Sequence, residues 1–228
     1  NVGVSGKTPL CIYLFRHLKE LNFNPIFLSS GYGGENLGPI LVNKYKEINF
    51  FGDESILLSK HGPTIVSKNR YKGIKLIEKE FGEHDIVIMD DGLQNYQLYK
   101  DLNLLAIDRK MLFGNQRCLP AGPLRQTIKT CMKQIDAIIF TGNKPKENLS
   151  FSFLKIKFET YISANYKKLS MKNNYLAFCG LADNEKFFDT LKNIGLKVLK
   201  NINFYDHARY SDTIVEKLIK ENQQQKLR

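Results

Sequence analysis

The strongest constraint on this chain is a series of short apolar runs, each separated from the next by a stretch of helical periodicity. Ile26-Phe27-Leu28, Ile65-Val66, Ile86-Val87-Ile88-Met89, Leu104-Leu105-Ala106-Ile107 and Ala137-Ile138-Ile139-Phe140 show no alternation of polar and apolar residues. A strand that is apolar at every position is buried on both faces, as in a parallel sheet covered by helices on each side. Between the runs, Leu10, Tyr13, Leu14, His17, Leu18 and Leu21 recur at helical spacing, and residues 53 to 61 and 69 to 81 read the same way. The chain is therefore predicted to be an α/β protein over residues 1–150. The texture then changes to Asn-Lys-Pro-Lys-Glu-Asn, and residues 151–174 alternate like a twisted β-ribbon linker. A smaller α/β unit is expected over 175–228, opening on the strand at Tyr175 to Gly180 and followed by helices near 184 to 194 and 211 to 223.

The first residues carry the clearest chemical signal. Gly3-Val4-Ser5-Gly6-Lys7-Thr8 runs straight into a helix, with Pro9 in its first turn, where a missing N–H costs nothing. Backbone N–H groups and a helix N-terminus aimed at one anion bind phosphate; the lysine adds a mobile positive charge, and the threonine hydroxyl suits Mg²⁺. The strict pattern has another glycine five residues before Gly6, where Asn1 stands.

Asp90-Asp91 ends a buried strand, at the edge where open α/β sheets hold their ligands and where a carboxylate can bind Mg²⁺ or its water shell. Gly52-Asp53-Glu54 opens a helix; plain capping explains it, and so does a general base for a substrate hydroxyl. Asp206-His207 reads either as a surface pair or as a tuned proton acceptor. The two prolines and the glycine of Leu119-Pro120-Ala121-Gly122-Pro123-Leu124-Arg125 make a rigid loop able to aim Arg125 at a phosphate. Gly31-Tyr32-Gly33-Gly34 fits a flexible lid and a tight turn equally well.

Composition narrows the partners. The net charge of +11 suits a polyanion, an acidic membrane face or a phosphorylated substrate. The Lys residues are scattered, with no dense basic run and no stacking-aromatic motif, which argues against nucleic acid. Cys11, Cys118, Cys131 and Cys179 form no C-x-x-C pair and read as reduced thiols in a cytosolic setting. No apolar run approaches transmembrane length.

Taken together, these segments resemble the tetraacyldisaccharide 4'-kinase family, LpxK. The resemblance runs in one order through Gly3 to Pro9, Ser30 to Gly34, Gly52-Asp53-Glu54, Asp90-Asp91-Gly92-Leu93-Gln94, Phe113-Gly114-Asn115, Leu119 to Arg125 and Phe204 to His207. It implies a P-loop NTPase-like parallel-sheet domain joined by a β-ribbon to a smaller α/β domain. It also implies an ATP- and Mg²⁺-dependent kinase acting on the 4'-hydroxyl of an acylated disaccharide 1-phosphate in lipid A biosynthesis. By resemblance, Asp53 is the base assisted by His207, and Lys7 is the catalytic lysine. The loop Asn1, Val2, Gly3, Val4, Ser5, Gly6, Lys7 and Thr8, with Arg125, holds the nucleotide, and Thr8, Asp90 and Asp91 hold the metal. The family sits peripherally on the cytoplasmic face of the bacterial inner membrane, through an N-terminal segment that meets the anionic surface. Because the chain opens on Asn1 inside the loop, that segment and the strand preceding the loop are expected outside this sequence. Val4, Ser30, Asn95, Gln126 and Ala208 depart from the family pattern. The alternative is a P-loop nucleotide switch or regulatory ATPase with no lipid acceptor.

Overall fold

The computed structural model describes residues 6–43, 48–142, 157–159, 169–181, 183–206 and 208–224. The chain divides into two compact units, Asn1–Ile162 and Ser163–Arg228.

The first unit begins with α1 (Lys7–Glu20) and β1 (Pro25–Ser29), then β2 (Ile40–Leu41), α2 (Ile48–Phe51), α3 (Asp53–Ser59), β3 (Thr64–Val66), α4 (Arg70–Glu80) and β4 (Ile86–Met89). It continues through β5 (Leu104–Asp108), α5 (Ile128–Met132), β6 (Ala137–Thr141) and β7 (Lys157–Glu159). Its strands form two sheets among the described residues. One has the order β2-β3-β1-β4, with β1 parallel to both β3 and β4 and β2 antiparallel at the edge. The other is β5-β6-β7, parallel throughout. Of the expected ribbon over 151–174, residues 157–159 pair in parallel with β6, and 151–156 and 160–168 lie outside the described residues.

The apolar runs are buried because both faces of the first sheet are covered. Phe27 and Ile88 point toward Cys11 and Phe15 of α1 and Leu58 of α3. Ile26, Leu28 and Ile65 point the other way, onto Ile77 of α4. Phe15 stacks on Phe27 with ring centroids 4.6 Å apart. Full burial of side chains this size contributes about 1.5–3 kcal/mol each before entropy, so β1, with β3 and β4 beside it, seats α1 and α4 on opposite faces of the sheet.

In the second unit, β8 (Asn174–Cys179), α6 (Asn184–Asn193) and β9 (Lys197–Asn203) make a βαβ turn with parallel strands, followed by α7 (Asp212–Gln224). Asp183 caps α6 by accepting from the Lys186 N–H at 3.1 Å. Among the described residues, no helix is long and apolar enough to cross a membrane.

Candidate active site

The site assembles where α1 begins. Gly6 is the N-cap residue of α1, with φ 76°. A Cβ there would lie 3.1 Å from Thr141 Cγ2, so the absence of a side chain lets this turn pack against the end of β6. From the next turn, Thr8 reaches the other sheet: its hydroxyl donates to Asp90 Oδ2 at 3.0 Å, across 82 positions of sequence. The start of α1 thus lies at the seam between the two sheets, beside the C-terminal ends of β4 and β6, the edge at which parallel sheets receive ligands.

Asp90 and Asp91 face different surroundings. Asp90 is buried, and its Oδ1 has no hydrogen-bond partner. Burial pushes its carboxyl above the usual range; the Thr8 hydroxyl opposes this, and the neighbouring Asp91 charge adds to it. Asp91 adopts a left-handed backbone, φ 55°, which Asp tolerates better than most residues. It meets two cations: Lys7 Nζ lies 3.3 Å from Oδ1, and Arg125 NH1 lies 2.5 Å from Oδ2. Burial would raise the Asp91 carboxyl, but Lys7 and Arg125 outweigh it and hold the group below the ordinary carboxylate value. Two adjacent carboxylates are thereby pushed in opposite directions, the pattern that functional sites favour.

Arg125 is delivered by the proline-rich loop. The Leu119 N–H donates to the Leu124 carbonyl at 2.9 Å, Gly122 N–H to Cys118 at 3.1 Å, and Asn115 Nδ2 to Ala121 at 2.8 Å. Leu124 is buried beneath. Beside it, Tyr96 O–H donates to Gln126 Oε1 at 3.2 Å, Gln126 Nε2 to Gln134 Oε1 at 3.0 Å, and Gln134 Nε2 back to the Tyr96 hydroxyl at 3.3 Å. This three-membered ring ties the segment after Asp91 to the segment that carries Arg125.

Asp53 and Glu54 open α3, as the Gly-Asp-Glu sequence predicts. Their position depends on the glycine turn, which is a tight turn packed on backbone. A Cβ on Gly34 would lie 2.6 Å from the Phe51 carbonyl carbon, and one on Gly52, whose φ is 80°, would lie 2.2 Å from Tyr32 O. Glu35 and Asn36 N–H groups donate to the Asn49 and Phe50 carbonyls at 2.9 and 3.0 Å. On the inner side, Ser55 Oγ donates to Ser29 Oγ at 2.9 Å, pinning α3 to the end of β1. The Cys11 thiol is raised well above its usual value by burial first and then by the Asp90 charge, with Glu54 adding and Lys7 opposing. One thiol on α1 thus senses both the carboxylate at the end of β4 and the acidic start of α3.

Arg70 is the site residue that motif reading missed. It is buried in the first turn of α4, where NH1 donates to the Ser67 carbonyl at 2.8 Å and NH2 to the Asp90 carbonyl at 3.1 Å. Burial lowers its pKa, while Asp90 and Asp91 oppose that shift. The available signal was an arginine opening a helix, where a cation works against the macrodipole. Asn1 to Ser5 and His207 lie outside the described residues.

The donor set fits a small hard cation. The orphaned Asp90 Oδ1, the Thr8 hydroxyl and Asp91 are oxygen ligands, as Mg²⁺ prefers. Among the described residues, no three His, Cys, Asp or Glu side chains converge to hold a metal alone, so a cation here would draw further ligands from phosphate and water.

The fold and this cluster define an open-sheet α/β protein with a lysine, an arginine and two aspartates where such sheets bind their ligands. The family model for tetraacyldisaccharide-1-P 4'-kinase, LpxK, matches residues 1–228, and the chain belongs to that family. It is 34% identical over 226 residues to a tetraacyldisaccharide 4'-kinase of Bartonella tribocorum, covering 97% of this chain and 65% of that relative. It is 32% identical over 234 residues to the enzyme of the same name from Bradyrhizobium diazoefficiens, covering 100% of this chain and 69% of that one. The chain therefore spans about two thirds of the length of these relatives. Among solved structures, it superimposes on "apo" form LpxK from Aquifex aeolicus in complex with ATP with a TM-score of 0.77 and 33% identity, covering 92% of this chain and 70% of that one.

Proposed function

We propose that this chain is an ATP-dependent lipid kinase that transfers the γ-phosphate of ATP to the 4'-hydroxyl of an acylated glucosamine disaccharide 1-phosphate. The observation that carries the reading is the convergence of Lys7 and Arg125 on Asp91, beside the Thr8–Asp90 hydrogen bond, in a chain matched end to end by the LpxK family.

In this reading residues 1–8 form a phosphate loop, and Lys7 and Arg125 neutralise charge on the transferred group. Thr8, Asp90 and Asp91 would hold Mg²⁺, which would supply positive charge to offset that of the phosphates. Asp53 takes the proton of the 4'-hydroxyl as that oxygen bonds to the γ-phosphorus; the bond to the β,γ-bridging oxygen breaks, and ADP leaves with its electron pair. His207 assists Asp53. Residues 1–150 serve as the nucleotide domain, 151–174 as linker and 175–228 as the smaller domain. The work is done at the cytoplasmic face of the inner membrane, as a peripheral protein.

The test is transfer of labelled γ-phosphate to a tetraacyldisaccharide 1-phosphate in detergent. Asp53→Ala should lower turnover by about 10²–10⁴-fold, the usual contribution of a general base, with ATP affinity unchanged. ATP hydrolysis without any labelled lipid would refute the kinase reading in favour of a nucleotide switch, and full activity in Asp53→Ala would remove the base.

A further inference from the structure

Next to the Asp90–Asp91 cluster lies a cleft of about 690 Å³, within the size range of small-ligand sites. One wall is the β3–α4 junction, with Lys68, Asn69 and Lys72; the facing wall is the segment Gln94 to Gln97, which starts three residues after Asp91. Its lining has two ammonium groups and no carboxylate. Lys68 and Lys72 are exposed, and among the described residues neither forms a salt bridge. The helix end itself is taken, because the Asn69 side chain already accepts from the Lys72 N–H at 3.1 Å. Any attraction for an anion comes from the lysines.

Both lips are built. The Lys68 N–H donates to the Leu37 carbonyl at 2.8 Å, joining the segment after the glycine turn to the α4 side. On the other lip, Lys100 Nζ donates to the Gly92 carbonyl at 3.3 Å and to the Asn95 carbonyl, and the Tyr96 hydroxyl sits in the ring with Gln126 and Gln134. The third lysine near the cleft, Lys100, is thus spent on structure, while Lys68 and Lys72 face the space. Asn69, Gln94, Asn95 and Gln97 add amides, which donate to and accept from sugar hydroxyls.

We propose that this cleft is the acceptor subsite, in which Lys68 and Lys72 hold the phosphate monoester already on the acceptor sugar while the amides hold its hydroxyls. The proposal rests on the kinase reading, and it assigns the nucleotide's phosphates to Lys7 and Arg125 and the acceptor's phosphate to a separate pair of cations. An anionic membrane lipid carries related phosphate chemistry, so the test excludes it by using neutral detergent.

The experiment compares phosphate transfer to a tetraacyldisaccharide with and without its 1-phosphate, in neutral detergent, for the parent and for Lys68→Gln/Lys72→Gln. Both lysines are exposed, so the variant should melt with the parent. The parent should favour the phosphorylated acceptor; the double variant should raise KM for it by about tenfold per ammonium group, lose the preference, and keep kcat and the KM for ATP. A variant that turns over and keeps the parent's preference overturns the cleft assignment while leaving the kinase reading intact. If the parent transfers to neither acceptor, the kinase reading fails. Calorimetric titration with a soluble, unacylated glucosamine disaccharide 1-phosphate then decides the cleft by itself. Binding that the double variant loses supports it; equal binding by both proteins, or none by the parent, overturns it.

Discussion

Replacing Arg70 with methionine tests whether a buried guanidinium sets the position of Asp90. The substitution keeps most of the aliphatic volume and removes two charged donors, one to Ser67 O and one to Asp90 O. A hydrogen bond from a charged group contributes about 1.5–3 kcal/mol net, so losing both costs about 3–6 kcal/mol at face value. Part is recovered, because burying the guanidinium is itself unfavourable, as its lowered pKa records. A net loss of about 2–4 kcal/mol remains, which in a unit of this size lowers the melting temperature by about 5–15 °C. Differential scanning calorimetry reads that directly. A second readout is specific to the site: the rise in melting temperature on adding Mg²⁺ and ATP should shrink, because the carbonyl that Arg70 holds belongs to the residue proposed to bind the metal. Arg70→Lys should fall between the two, since one ammonium group cannot reproduce a two-pronged donor. A methionine variant that melts within 2 °C of the parent, with an unchanged response to nucleotide, would refute the reasoning.

The paired aspartates predict opposite pH behaviour. Asp91 is held below the ordinary carboxylate value, so its contribution is complete above that value, about 3.8, and is lost as pH falls through the lowered one; Asp91→Asn should flatten the acid limb of the stability profile. Asp90 is raised, so its contribution is complete below the ordinary value and declines as pH rises through the raised one. Asp90→Asn should therefore melt higher than the parent at pH 8 while losing Mg²⁺-dependent nucleotide binding; a lower melting temperature would contradict the burial argument. Gly34→Ala places a methyl 2.6 Å from the Phe51 carbonyl carbon and should cost about 1–3 kcal/mol in thermal unfolding, with turnover reduced as the start of α3 shifts.

The elements with a regular burial pattern were the ones legible in the sequence. The run at 25–29 is β1 and that at 86–89 is β4, because helices cover both faces of their sheet, and the helical spacing over 69–81 yields α4 at Arg70–Glu80, because one face packs on the sheet while the other meets solvent. The elements the sequence does not reveal are short and held by partners elsewhere. β2 has two residues and exists through its pairing with β3; α2 has four, tied to the glycine turn through the Asn49 and Phe50 carbonyls. Within the site, Lys7, Thr8, Asp90 and Asp91 were legible as residue types at a helix start and a strand end. That Arg125 rests on Asp91 was not, since the rigid loop reads as aiming it at a phosphate and the structure sets it on a carboxylate. Arg70 was silent because its partners are carbonyls, which leave no trace in side-chain composition.

The ring of Tyr96, Gln126 and Gln134 has a consequence for how this chain can diverge. Each member gives one hydrogen and accepts one, all circulating in the same sense. A carboxylate at 126 can only accept, so Gln134 would have to turn its amide over, giving Nε2 to position 126 and accepting from the Tyr96 hydroxyl at Oε1, and the single sense of circulation would reverse at that contact. Position 126, beside the arginine that meets Asp91, is thereby coupled to a position eight residues away. In close relatives of this chain, a glutamate at 126 should be accompanied by a side chain at 134 that can donate, a condition that glutamine meets by turning its amide over.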